Sequence, residues 1–167
     1  MSLDLSALTP NDAVAALRSY PRRFRSALAP IDDDESIEET AHQMGPDGRS
    51  AVEIAADASR SWTVLLQGLR TAARGGSGPL HRGVLDAGER TFDAPVNETV
   101  ASVLDQIDDG AEALAAEITS IDRDGWQHEV PVTGGGSVKA MDLVREAVRV
   151  GHDDLVAMER TLAAVRP

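Results

Sequence analysis

Apolar residues recur along most of this chain at spacings of three and four, the period of an α-helix with one buried face. Thr9-Pro10 reads as an N-cap followed by proline at the first helical position, and Val14, Leu17, Phe24 and Leu28 follow at helical spacing. Pro21 lies inside this stretch and predicts a kink or a restart there. Ala29-Pro30 and the acidic run Asp32 to Glu35 end the helix; the run reads as a solvated helix start or loop, since it lacks the glycine and spacing of a calcium loop. After the turn signal Gly45-Pro46-Asp47-Gly48, Ser50 and Glu53 have the spacing of a capping box. Ile54, Ala58, Ser61, Leu65, Leu69 and Ala72 then form a seam, predicting a second helix over 50–74. Gly75 to Pro79 break it, and residues 75–94 have no period and read as a long connection. Val96, Val100, Val103, Leu104, Ile107, Ala111, Leu114 and Ile118 predict a third helix over 95–121. Residues 122–136 are irregular, and Ser137 is expected to cap a last helix over 138–165.

The pattern predicts an all-α, four-helix bundle forming one domain over residues 1–167, with long connections after the second and third helices. Composition agrees. Apolar residues make up 42 % of the chain, yet the aromatic ones are only two Trp, two Phe and one Tyr, so the core is built from small and aliphatic side chains. Cysteine is absent, which excludes disulfides, thiolate metal sites and a cysteine nucleophile. The net charge of −12 repels phosphate backbones, so broad nucleic-acid binding is not expected. Lys139 is the single lysine among 16 basic residues, a skew that reads as the mark of a GC-rich genome. No apolar run approaches the roughly 20 residues needed to span a bilayer, and no leader is evident, which points to a cytoplasmic protein.

Candidate chemistry centres on the last helix. Met141, Val144, Val148, Leu155 and Leu162 make its apolar stripe, and His152 lies on the flank of that stripe. Arg145 and Glu159, each seven residues away, fall on nearly the same line. Asp57 sits at the boundary of the second helix's seam, where it and His152 can face a shared cavity. A hydrogen-bonded structural role is the commoner fate of a lone histidine in this position. Gly151 in mid-helix costs roughly 1 kcal/mol relative to alanine, which close helix approach or room for a ligand would explain. His42, His81 and His128 lie at turns or in irregular segments, and no two histidines stand three or four apart. Gly134-Gly135-Gly136-Ser137 precedes a helix, but without a following Lys-Ser/Thr it reads as a hinge or capping loop before an anion site.

Three short segments resemble the DinB-like superfamily, four-helix bundles that include thiol-dependent S-transferases and mycothiol-dependent maleylpyruvate isomerases. Leu17 to Phe24, with Pro21, is similar to a Leu-x-x-x-Pro opening. Arg49 to Asp57 resembles Trp-Ser-x-x-Glu followed by two apolar residues, one variable position and His, and His152 to Val156 resembles His-Asp-x-x-His. The last segment also resembles, in another register, the Val-x-Val-His-His-x-Asp-Leu of the isomerase branch. The resemblance implies a divalent metal, often zinc or nickel, held by one histidine of the second helix and two of the last. Carried onto this chain, those positions are Asp57, His152 and either Val156 or Gly151, and the motif's tryptophan is Arg49. At most two ligands remain, so no cofactor is expected unless Glu159, His42 or His128 replaces the third.

Two readings follow. In the first, the chain is a divergent DinB-like protein without a tight metal, a small-molecule binding or interaction module with no catalytic residues, its ligand between the second and last helices and a homodimer its expected assembly. In the second, it is a metal-dependent thiol S-transferase or isomerase using a mycothiol-type thiol, with Asp57 and His152 as the remaining ligands. A polar pocket converging on those two residues favours the second; apolar packing there favours the first.

Overall fold

The computed structural model describes residues 3–167. Its long helices are α1 (Pro10–Ala27), α3 (Ala51–Ala73), α4 (Val100–Ser120) and α5 (Ala140–Val165), with a single-turn-scale helix α2 (Ile37–His42) between the first two. A hairpin of β1 (Val130–Pro131) and β2 (Ser137–Val138) precedes α5. The four long helices pack as a bundle.

Each long helix packs along two of the others: α1 on α4 and α5, and α3 on α4 and α5. Cross-helix bonds fix the directions. Arg18 pairs with Glu112 and Arg25 with Asp108, so α1 and α4 are antiparallel. Ser59 reaches the Gln106 carbonyl and Arg70 pairs with Glu117, so α3 and α4 run parallel. The order along the chain is therefore up, down, down, up. Parallel neighbours cannot be joined by a tight turn. The chain leaving α3, about 35 Å long at 1.5 Å per residue, must return to the starting end before α4 begins. This is why the connection after α3 is long and has no helical period. It contains two 3-10 turns, Arg82–Val84 and Ala87–Glu89, and it is pinned to the hairpin where the Leu80 N–H donates to the Pro131 carbonyl and the Thr133 N–H to the Leu80 carbonyl.

Helix starts follow local chemistry. Thr9 and Asp12 cap α1 reciprocally, as Ser50 and Glu53 cap α3. The third long helix starts at Val100, five residues later than its apolar pattern predicts. Asn97 has φ of 59°, which is incompatible with a right-handed helix, and Thr99 and Ser102 form the capping box instead. Val96, counted in the predicted seam, is 79 % exposed as a result. Glu38 of α2 also accepts from the Val100 N–H, so the small helix that periodicity does not reveal seals this end of the bundle. Ser137 does not cap the last helix; it pairs with Pro131 in the hairpin, and α5 starts at Ala140 with the Asp142 carboxylate accepting from the Lys139 N–H. Gly134, Gly135 and Gly136 all have positive φ and form the hairpin tip, so they are neither a hinge nor the N-terminal loop of α5. α1 passes through Pro21 without a restart. Asp32, Asp33 and Asp34 are exposed, whereas Glu35 is tied down by the Ile31 N–H and by Arg166.

The core centres on two aromatics. Trp62 is completely buried and its indole N–H donates to the Ala147 carbonyl at 2.9 Å. The Tyr20 hydroxyl donates to the next carbonyl, Val148, also at 2.9 Å, and the two rings lie 6.0 Å apart. Gly151 is required here. A Cβ on it would stand 2.5 Å from the Tyr20 ring, so the missing side chain is the seat of that ring and not space for a ligand. Gly110 plays the same part on α4, where a Cβ would press on Trp62 at 3.2 Å.

Gly151→Ala should therefore destabilise the protein. The alanine gains about 1 kcal/mol of helix propensity, but overpacking against Tyr20 costs about 1–3 kcal/mol or more. Chemical denaturation should show a net loss, and Tyr20→Leu in the same chain should relieve most of the clash; a stabilised Gly151→Ala protein would contradict this packing.

Candidate functional site

α3 and α5 diverge enough on one side to leave a cavity of about 190 Å³. Arg49, Asp57 and Ser61 line it from α3 and the residue leading into it. Glu146, Arg149, Asp153 and Asp154 line it from α5, and Ala87 and Arg90 reach it from the long connection. Seven of the ten lining residues are charged; Ser61, Ala87 and Val150 of α5 complete the wall.

Glu146 explains how such a wall can exist. It lies on the buried face of α5 between Leu143 and Val150 and is 3 % exposed. An unpaired carboxylate in that position would cost several kcal/mol. Two guanidiniums meet it: Arg90 Nη2 at 2.7 Å on one oxygen and Arg149 Nη1 at 2.6 Å on the other. Arg90 also donates through Nη1 to the Gly83 carbonyl at 2.8 Å. The connection over the cavity is thus latched to α5 by a buried ion pair. The third donor of Arg90, its Nε–H, is buried and has no acceptor among the described residues. At the other side Asp57 accepts from Arg49 at 2.5 Å and lies 3.5 Å from Arg60. Arg60 in turn donates to the Asp93 carbonyl and stacks over Phe92, a second tie between α3 and the connection.

Asp154 is the one cavity carboxyl with no hydrogen bond among the described residues. Burial pushes its pKa up to about 7; Arg49 and Arg90 oppose the rise, and the Asp57 and Asp153 carboxylates add to it. At neutral pH it is a carboxyl poised between its two protonation states.

The residues expected from sequence are divided by this geometry. Asp57 lines the cavity. His152 does not; its side chain is 30 % exposed and its Nδ1 lies 3.0 Å from an oxygen of Asp153. Glu159 is exposed further along α5. Arg145 turns away to the Leu5 carbonyl and to Asp142, and His152 meets Asp153, so Arg145, His152 and Glu159 do not form one line of contacts. His42 is held between the Glu38 and Glu98 carbonyls, His128 bonds the Ala73 carbonyl at the end of α3, and His81 accepts from the Gly83 N–H. Among the described residues no group of three or more His, Cys, Asp or Glu is gathered to hold a metal ion. The residues present therefore do not fit the three-ligand metal that the DinB-like resemblance implies. Arg90, Glu146 and Asp154 were not predicted. Glu146 was accessible to sequence reasoning, as a charge standing inside the α5 stripe three residues from Leu143 and four from Val150. Arg90 was not, because nothing in an aperiodic segment says which way it folds back.

Two predictions test the site's energetics. Arg90→Ala should cost about 2–4 kcal/mol, less than a fully orphaned buried charge because Arg149 remains on Glu146. Replacing both Arg90 and Glu146 by leucine should recover most of that loss; a double variant as unstable as Arg90→Ala would show that the pair is not what holds the connection down. Asp154 has the opposite sign. Its folded pKa lies above the ordinary 3.8, so the stability it contributes is fully present below that value and is lost as pH rises through about 7. Asp154→Asn should raise stability at pH above 7 by on the order of 1–3 kcal/mol and leave it little changed in acid, measured by denaturation across the pH range.

No family model, no curated protein and no solved structure matches this chain.

Proposed function

We propose that this chain is a small-molecule binding module, a divergent DinB-like bundle without a tight metal, that takes its ligand in the charged cavity between α3 and α5. The observation that carries this reading is the cavity itself: charged side chains from two helices and a latched connection converge on open space of about 190 Å³. Ordinary core packing would fill that space with apolar side chains. Polar groups converging on a concavity are the usual mark of a ligand site. The DinB-like part of the reading is supported by the four-helix architecture and by the two helices concerned, the second and last long ones, which carry the ligand positions of the resemblance.

The thiol-transferase reading requires Asp57 and His152 to act on one metal. Against it, the pocket is polar but converges on Asp57 without His152, which lies outside its lining, and the Asp57 carboxylate is occupied by Arg49.

A ligand-detected NMR screen of small polar compounds, followed by mapping of amide shifts on the labelled protein, tests the proposal. Binders should move resonances of residues 57–61, 87–90 and 146–154 together. Binders that map elsewhere would refute it, as would one stoichiometric divalent ion per chain whose loss accompanies His152→Ala.

A further inference from the structure

The short helix α2 meets the start of α4 through two side chains one turn apart. The Glu38 carboxylate accepts from the Val100 N–H at 3.0 Å. The His42 ring is held on both sides: Nδ1 lies 2.6 Å from the Glu38 carbonyl oxygen, and Nε2 lies 2.9 Å from the Glu98 carbonyl oxygen. A carbonyl oxygen only accepts, so each ring nitrogen must donate to make its bond. Neutral imidazole carries one N–H and can make one of the two bonds. At the other nitrogen a ring lone pair would face a carbonyl oxygen at contact distance. Imidazolium carries both N–H groups and makes both bonds.

We propose that His42 is a proton-operated latch: as imidazolium it bridges α2 to the entry of α4, and loss of its proton unseats the ring. The surrounding charges favour the proton. On α2 the Glu38 carboxylate lies 3.5 Å from Nδ1. From α3 Glu53 acts on the ring, its own carboxylate accepting from the Ser50 N–H. From the connection Glu98 presents its carbonyl, while its carboxylate accepts from Ser102 and Gln106 and feels Arg60. Glu53 and Glu98 are the charged residues lining the hollow beside His42, and neither α4 nor α5 brings a side chain to it. The bond to the Glu38 carbonyl leads in raising the ring's pKa above the ordinary 6.5; the Glu98 carbonyl and the Glu38 and Glu53 charges add to it, and burial opposes. The latch is therefore fully closed below 6.5 and is lost as pH rises through the raised value. The ring is 43 % exposed, so bulk water can take the proton. Glu98 stands at the end of the connection that carries Arg90 to the cavity. Unseating His42 loosens that end, while Arg60 on the Asp93 carbonyl and Arg90 on Glu146 still hold the stretch before it.

A ¹⁵N NMR titration of the full-length protein across the range where histidine ionises tests the latch. At pH 6.5 the major form of His42 should be imidazolium, with matched shifts at its two ring nitrogens. Amides of residues 37–43 and 95–100 should move with the His42 midpoint, and the Val100 amide should lose hydrogen-exchange protection above it. Residues 146–154 report the Asp154 titration in the same range, so local amides and not global stability are the readout. His42→Gln, which offers an uncharged donor, should abolish the concerted movement. A neutral ring as the major form at pH 6.5 overturns the latch. So does a His42 titration that leaves residues 95–100 still, or a movement that persists in His42→Gln. If that variant does not fold, the titration of His42 itself still decides.

Discussion

Two consecutive carbonyls of α5 each receive a side-chain donor from a different helix. Trp62 of α3 reaches Ala147 and Tyr20 of α1 reaches Val148, with their rings 6.0 Å apart. α1 and α3 occupy opposite corners of the bundle, and these aromatics are how they meet at its centre. The arrangement fixes α5 in rotation and in height. One residue of slip would move both acceptors off their donors and drive a side chain into the Tyr20 ring, where only Gly151 fits. With α5 set in this way, the face bearing Glu146, Arg149 and Asp154 must turn toward α3, and the charged cavity follows from the core.

The second constraint is topological. α3 and α4 are neighbours in sequence and in space yet run in the same direction, so the chain between them has to retrace the length of the bundle. In many bundles such a segment is only a linker. Here it carries Arg90 to a buried carboxylate and Phe92 under Arg60, and so becomes part of the cavity wall. The ion pair is not a source of great stability, because desolvating both charges offsets most of their attraction. Its effect is geometric: an aperiodic segment acquires one position, and a buried guanidinium is left with one donor to spare.

How much of this could be read from the chain depended on whether the signal was periodic. The seams through Ile54, Leu65 and Leu69, and through Val103, Ile107 and Leu114, repeat with the helix and gave the bundle directly. Thr9 and Ser50 marked helix starts because capping is a local matter of three or four residues. The start of α4 was misread because valine at position 96 continues the apolar pattern, whereas the left-handed backbone at Asn97 ends the helix. The six-residue α2 was too short to express a period. Trp62 fell outside the narrow seam on α3, whose buried face is wider because α4, α5 and the connection all cover it. The cavity was anticipated in its location, between the second and last long helices and bordered by Asp57, but not in its composition. Its defining partners come from residues far apart in sequence, and pairing of that kind leaves no local pattern.

The directions of the helices also set how the bundle carries mechanical load. α1 and α5 lie side by side and parallel, with Leu5 beside Arg145 at one end and Ala27 beside Arg166 at the other. The start of α1 and the end of α5 therefore lie at opposite poles. A pull applied through the two ends of the chain would act in shear along the α1–α5 interface, loading the Tyr20–Val148 bond and the ring seated on Gly151 together. Bundles whose terminal helices are antiparallel peel open one contact at a time. This one would have to break its central contact before either helix could leave.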